Sequence, residues 1–307
     1  MNLQELIWPN FFIVGTQRSG TTSLWAHLRK HPQVFLPEVK EPGYFASSLG
    51  PVPPRQAKRF SHGDLCPDDL IRYQSLYKGA LQRVAIGDAS AYYLWEADAA
   101  AKIRKVSPDA RIIIMLRDPV DRAYSHYLLS TMQGDEHRPF LRALREDYAH
   151  KQKGWWTSQL YVDQGLYYSQ VRRYLETFGK EQVAIFLFDD LKRNPVELFT
   201  KVALHLGIEP QFQNESELSQ AENAFKMPRY PLLHGIMYSV LNRKLRKRIF
   251  PSSLNAWLNR NKFFYNTERP AADTESRKFL QEIFAPDLVL LEELLGRKLP
   301  ELRRSWV

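Results

Sequence analysis

Between Phe11 and Leu24 the chain reads Phe11-Phe12-Ile13-Val14-Gly15-Thr16-Gln17-Arg18-Ser19-Gly20-Thr21-Thr22-Ser23-Leu24. A short apolar run enters a loop framed by Gly15 and Gly20, and helical spacing begins directly after it. Such a loop aims backbone N–H groups and the positive end of a helix dipole at one point, which is how proteins hold a phosphate or sulfate. The spacing of the two glycines is that of the nucleotide-binding P-loop. However, Thr21-Thr22 stand where a nucleotidase has Lys followed by Ser or Thr. The nearest cation is Arg18, inside the loop. Gln17, Arg18, Ser19, Gly20, Thr21 and Thr22 are therefore the candidate anion-binding residues, with a chemistry other than ATP hydrolysis.

A second segment carries matching chemistry. Arg111-Ile112-Ile113-Ile114-Met115-Leu116-Arg117-Asp118-Pro119 is a buried-strand pattern that ends in an arginine and turns, and a helix carrying Ser125 follows. Arg117 offers a charged fork and Ser125 a hydroxyl donor, and the two can meet over a phosphate. Taken alone, Arg-Asp-Pro also fits an ordinary strand-end turn with an ion pair. Beside the first loop it gains meaning, because two separate anion sites fit a nucleotide phosphorylated at both ends.

These residues need a scaffold. Strands are expected at Phe11–Val14, Val84–Gly87, Arg111–Leu116 and Val183–Phe188, each apolar on consecutive positions as strands buried on both faces are. Helical spacing lies between them: Leu24, Trp25 and Leu28 before His31-Pro32; Tyr167, Val171, Tyr174 and Phe178 before Gly179; and Leu198, Val202 and Leu206 before Gly207. Alternating strands and helices predict an α/β protein with a mostly parallel, P-loop-NTPase-like sheet flanked by helices on both faces. The loop after the first strand then lies at the carboxyl edge of the sheet. One domain over 1–307 is expected, with irregular excursions near 47–80 and 130–165 and a helical C-terminal part near 231–307. The second excursion contains Lys151-Gln152-Lys153-Gly154-Trp155-Trp156, which reads either as a glycan-binding wall or lid, or as plain loop packing.

Taken together, the two loops resemble those of the sulfotransferases, which use 3′-phosphoadenosine 5′-phosphosulfate (PAPS) as donor and release PAP. The first loop is similar to the family's 5′-phosphosulfate loop, and Arg117 with Ser125 to its 3′-phosphate site. Lys40-Glu41-Pro42-Gly43-Tyr44-Phe45 resembles a segment of heparan-type sulfotransferases whose Glu is the catalytic base. Gly165-Leu166-Tyr167, Phe186–Leu191 and Pro286-Asp287 through Gly296 follow the family order, nearest its bacterial and heparan-sulfate-type (carbohydrate) branch. The resemblance implies that Glu41 is the general base, while its spacing alone also allows an ion pair with Lys40 or Lys30. Arg18 is placed either to stabilise charge on the bridging and leaving oxygens or to clamp a phosphate passively. The resemblance also adds Tyr167 to the nucleotide-binding set, and the basic loop with Lys226 and Arg229 reads either as phosphate contacts or as a solvated loop. The family often has Lys in place of Arg18; arginine gives a planar, permanently charged donor instead. Asp88, after a buried strand, is expected to face the same cleft, as a second base, an acceptor-orienting group or a structural hydrogen-bonding carboxylate. His126 is read as structural, because it follows Ser125 directly and points elsewhere on a helix.

Bulk properties bound the alternatives. A net charge of +9 over 307 residues favours an anionic partner. The single cysteine, Cys66, excludes an intrachain disulfide and a multi-cysteine metal site. No His/Asp/Glu cluster has metal-ligand spacing, so no metal is expected. No apolar run approaches the roughly 20 residues of a membrane span. A cytoplasmic location is expected. The function read from the sequence is sulfuryl transfer from PAPS to a hydroxyl acceptor: a carbohydrate, glycolipid or secondary metabolite. The alternatives are a P-loop nucleotide kinase or NTPase, and a basic polyanion-binding protein without turnover. Nucleic acid is not an expected partner. The basic run Arg243–Arg248 is read either as a contact for an acidic acceptor or anionic surface, or as a solvated helix face.

Overall fold

The computed structural model describes residues 6–46, 69–80, 82–133, 135–153, 159–210, 227–228, 265–266 and 270–306. Its centre is a parallel sheet of five strands: β1 (Phe11–Gly15), β2 (Val34–Phe35), β3 (Ala85–Ala89), β4 (Arg111–Leu116) and β5 (Val183–Leu187). Their order is β2-β3-β1-β4-β5, so β1 lies in the middle with β3 and β4 as its neighbours. Phe12 pairs with Asp88 on one side and with Ile112 on the other. The connection after β1 leads to one edge strand, β2, and that after β4 to the other, β5. The chain thus diverges between β1 and β4, and the crevice at their carboxyl ends is where open α/β sheets bind ligands.

The strands are buried on both faces, as their continuous apolar runs require. Phe12, Val14, Ile112, Ile114 and Leu116 point to one side, against Ile103 of the helix Ala99–Val106, Val171 and Tyr174 of the helix Tyr167–Phe178, and Leu288 and Leu291 of the helix Thr274–Leu295. Phe11, Ile13, Ile113 and Met115 point to the other. There they meet Leu24 and Leu28 of α1 (Thr21–Leu28) and Phe199 and Val202 of the helix Pro195–Leu206. A third cluster joins the helix Pro119–Gln133 to Tyr161, Val162, Leu280 and Phe284. The α/β fold expected from the sequence is therefore the one observed.

Differences from the expected elements have local causes. The two-residue strand β2 carries too short a pattern to detect, and it exists because Val34 and Phe35 pair with Ala85 and Ile86. β3 runs on through Asp88 to Ala89, because β1 pairs with it over that stretch. The strand expected over Val183–Phe188 ends at Leu187, and a short helix, Phe188–Arg193, follows at once. The segment 130–165 is largely ordered. One helix continues to Gln133, another spans Phe140–Ala149, and Leu160, Tyr161 and Val162 are buried. Asp147 holds this return, accepting from the Gln159 and Tyr161 N–H groups at 2.6 and 2.9 Å. In the first excursion, Leu70–Ser75 is helical, and its Tyr73 enters the core. Trp155, Trp156, Cys66, Lys226, Arg229 and the Arg243–Arg248 run lie outside the described residues.

Candidate active site

The loop after β1 ends at Gly20, whose φ of +88° suits glycine. A Cβ at this position would also lie 2.7 Å from Leu191 and 2.9 Å from Phe188. Arg18 takes φ +67°, so two left-handed residues curl the loop, a backbone pattern that forms anion-binding concavities. Among the described residues no side chain caps α1, and its first helical bond is from the Leu24 N–H to the Gly20 carbonyl. The Thr21, Thr22 and Ser23 N–H groups therefore lie before the intrahelical ladder begins. The Ser19 hydroxyl is buried without a hydrogen-bond partner among the described residues. Gln17 and Thr22 are half-buried beside it, and Thr21 is buried at the start of the helix.

Arg117 stands at the carboxyl end of β4, next to this loop in the sheet order. Its Nη1 donates to the Arg18 carbonyl at 3.1 Å, and its Nη2 lies 3.6 Å from Asp121. The guanidinium covers the Phe188 ring at 4.6 Å, while its Nε is buried with no hydrogen-bond partner among the described residues. Arg18 Nε in turn donates to Ser125 Oγ at 3.1 Å. Arg18, 99 residues before Arg117 and 107 before Ser125, thus converges with them on one place.

The turn that presents Arg117 is braced from below. Asp118 Oδ1 accepts from the Val120 and Asp121 N–H groups, starting the helix at Pro119, while Oδ2 accepts from the Ser305 N–H at 2.8 Å. Tyr167, expected among the nucleotide contacts, is corrected here to a supporting role. It is fully buried, and its hydroxyl donates to the Arg117 carbonyl at 2.7 Å. Asp287 accepts from the Tyr167 and Tyr168 N–H groups at the same helix start, and burial pushes its carboxyl up to about 6.

Glu41 lies on the other side of β1. It too is left-handed, at φ +64°, a conformation that costs a non-glycine residue ~1–3 kcal/mol unless its surroundings enforce it. Its N–H donates to the Ala89 carbonyl at 3.1 Å, and its Oε2 accepts from the Ala91 N–H at 2.7 Å. Its Oε1 is paired with Lys40. Gly15 is what lets this corner approach the phosphate loop, because a Cβ there would lie 2.8 Å from the Ala91 carbonyl and 2.6 Å from Leu94 Cβ.

Asp88 does not face the cleft, which corrects its reading as a residue open to an acceptor. It is fully buried and accepts from Ser90, Tyr73 and Tyr93 hydroxyls at 2.7, 2.9 and 3.0 Å. Burial pushes its carboxyl up to about 6, against the pull of those hydroxyls. His126 is buried against Tyr161, and burial with Arg122 and Arg18 nearby holds its imidazole well below the usual range. Sequence reasoning missed Arg122. It is wholly buried, donates to the Tyr161 carbonyl, and is pushed by burial down to about 10, so it stays cationic at neutral pH. Its one legible sign was its spacing of three residues before Ser125 on the same helix face.

A five-strand parallel sheet flanked by helices, with a glycine-framed loop at the carboxyl end of its central strand, defines the P-loop-like α/β class. The sequence model of the sulfotransferase family matches residues 9–213, and the chain belongs to that family. Carbohydrate sulfotransferase 15 of Rattus norvegicus is 26% identical over 309 residues, covering 81% of this chain and 54% of the relative. Bifunctional heparan sulfate N-deacetylase/N-sulfotransferase 4 of Mus musculus is 24% identical over 313 residues, covering 97% of this chain and 31% of the relative. The chain thus spans about half or less of the length of these relatives. A sulfotransferase structure from Alicyclobacillus acidocaldarius superposes with a TM-score of 0.71 at 28% identity, covering 97% of this chain and all of the other.

Proposed function

We propose that the protein transfers a sulfuryl group from PAPS to a hydroxyl of a carbohydrate, glycolipid or secondary metabolite. The observation that carries this reading is the convergence of the uncapped Gly15–Gly20 loop, Arg18, Arg117 and Ser125, with Glu41 held next to it. The donor set fits a bisphosphorylated nucleotide. The partnerless Ser19 hydroxyl, the partnerless Arg117 Nε and the open first turn of α1 are all hydrogen-bond donors, and two guanidinium groups supply positive charge. When bound, PAPS supplies an activated sulfuryl group on a phosphate leaving group.

The residues of this chain do the rest. Gln17 to Thr22 hold the 5′ end, and Arg117 with Ser125 hold the 3′-phosphate. Arg18 neutralises negative charge as it collects on the leaving oxygen, a task for a fixed donor rather than a proton carrier. Glu41 keeps Oε2 on the Ala91 N–H and uses Oε1 to take the proton of the acceptor hydroxyl, with Lys40 giving way at that oxygen. Proton removal turns a poor nucleophile into a competent one. A carbohydrate acceptor is supported by the names of the relatives, carbohydrate sulfotransferase 15 and a heparan sulfate enzyme. The single cysteine supports a reducing, cytoplasmic setting as part of this proposal.

Two measurements test it. Thermal shift should rise with PAP and stay flat with ATP–Mg²⁺, because Thr21 replaces the lysine that a nucleotidase needs. Labelled PAPS should transfer its sulfur label to at least one compound in a panel of hydroxyl acceptors. A response to ATP–Mg²⁺ alone would overturn the reading in favour of a kinase or NTPase. Salt-sensitive polyanion binding with no transfer would overturn it in favour of a binding protein.

A further inference from the structure

We infer that Asp88 is a positioning residue for the Glu41–Phe45 segment, acting through the hydroxyls of Ser90 and Tyr93. The inference rests on the reading of Glu41 as the base and adds what holds that base in place. Ser90 Oγ donates to Asp88 Oδ1 at 2.7 Å and accepts from the Gly43 N–H at 3.2 Å. Tyr93 Oη donates to Asp88 Oδ2 at 3.0 Å and accepts from the Phe45 N–H at 3.3 Å. A hydroxyl has one proton, and a carboxylate only accepts. The Ser90 and Tyr93 protons are therefore committed to Asp88, and their lone pairs are left facing the two segment N–H groups. Each relay is also polarised by the charge behind it, which strengthens the second bond.

The segment needs such a brace. Glu41 sits in the left-handed region, and one stretch of chain, 88–93, supplies a set of hydrogen bonds that brace it. They are the two relays, the Ala89 carbonyl on the Glu41 N–H, the Ala91 N–H on Oε2, and the Tyr92 hydroxyl on the Glu41 carbonyl at 3.3 Å. Tyr73 closes the remaining side of Asp88 at 2.9 Å, and Tyr77 lies behind Tyr73. Besides these groups, Tyr174 and Glu41 face Asp88 electrostatically. Burial holds Tyr73 and Tyr93 well above the usual tyrosine range, so both remain donors at neutral pH while Asp88 is ionised.

Asp88→Asn reverses one relay whichever way the amide turns. Its NH2 faces either Ser90 or the two tyrosines, and the hydroxyl it meets loses the acceptor that holds its proton away from the segment N–H. Ser90→Ala and Tyr93→Phe remove one relay each and leave the carboxylate in place, so they report even where Asp88→Asn folds poorly. In all three, hydrogen–deuterium exchange of the peptide spanning 41–46 should quicken, and kcat should fall ~10- to 100-fold with PAP affinity unchanged, as expected of a misplaced catalytic group. Combined with Glu41→Gln, each should add little further loss, because both changes act at one point. Losses that multiply would overturn the inference, showing that Asp88 works independently of Glu41. Unchanged exchange at 41–46 would overturn it as well. If Glu41→Gln itself keeps wild-type turnover, the base reading fails. The brace is then judged on exchange alone: faster exchange upholds it, and unchanged exchange removes it.

Discussion

The two sides of β1 treat their polar groups in opposite ways. On the side of β4, the buried Ser19 hydroxyl and the buried Arg117 Nε have no partner among the described residues, and α1 starts without a side-chain cap. On the side of β3, Glu41 has both carboxylate oxygens engaged, and Asp88 accepts from three hydroxyls. Buried donors without partners are costly, so a fold keeps them where a ligand completes them. A catalytic base has the opposite need. It gains from being fixed before the substrate arrives, and the hydrogen bonds around it supply that order. In the proposed mechanism, binding falls to the unsatisfied half of the crevice and proton transfer to the satisfied half.

Substitutions on each side should fail differently. Glu41→Gln keeps the shape and the bond to the Ala91 N–H but loses basicity. Turnover should drop ~10²- to 10⁴-fold, the range of general-base catalysis. Calorimetry should show PAP affinity nearly intact; a collapse of PAP binding would move Glu41 into the unsatisfied half. Arg18→Ala is next in size, with an expected loss of ~10²- to 10³-fold in kcat, typical of removing one preorganised donor. Its circular-dichroism melt should stay near wild type, and an equal loss of fold and activity would argue for a structural arginine.

The third expectation concerns pH. The folded-state pKa of Asp88, about 6, lies above its ordinary 3.8, so the folded chain binds this proton more tightly than the unfolded chain. Wild type should therefore gain stability relative to Asp88→Asn as pH falls from about 6 to about 4, by at most on the order of 3 kcal/mol, with a flat difference above that window. Paired thermal melts across this range check the sign, and a flat difference throughout would mean that Asp88 is less buried than the fold shows. The smallest effect belongs to Arg117→Ala. Losing one charge-assisted contact, ~1.5–3 kcal/mol, should weaken PAP about 10- to 100-fold while leaving AMP nearly unaffected. Equal losses for both nucleotides would remove Arg117 from the 3′-phosphate site.

Much of this was legible in the sequence because the signals are local. Gly15 and Gly20 with Arg18 between them mark a loop whose backbone shape follows from residue type. The apolar runs at 11–14 and 111–116 mark strands buried on both faces. Asp118-Pro119 marks a helix start. Other features were not legible, because they depend on partners distant in the chain. β2 exists only through its pairing with β3. Tyr167 reads as a ligand residue until its hydroxyl is seen on the Arg117 carbonyl and its N–H on Asp287. Asp88 follows a strand as a cleft residue does, yet the tyrosines that enclose it come from both sides of it in sequence, and Tyr73 lies on a helix with no catalytic signature.

By itself the sequence determined the kind of chemistry: an anion loop lacking the nucleotidase lysine, an arginine–serine pair and a candidate carboxylate, on an α/β sheet. These follow from residue types at short spacings, where backbone geometry leaves few choices. Only the tertiary structure decided which carboxylate is exposed to the crevice and which is sealed behind it. That choice depends on the desolvation of Asp88 and on hydroxyls brought to it by packing, and long-range packing has no signature in the spacing of neighbouring residues.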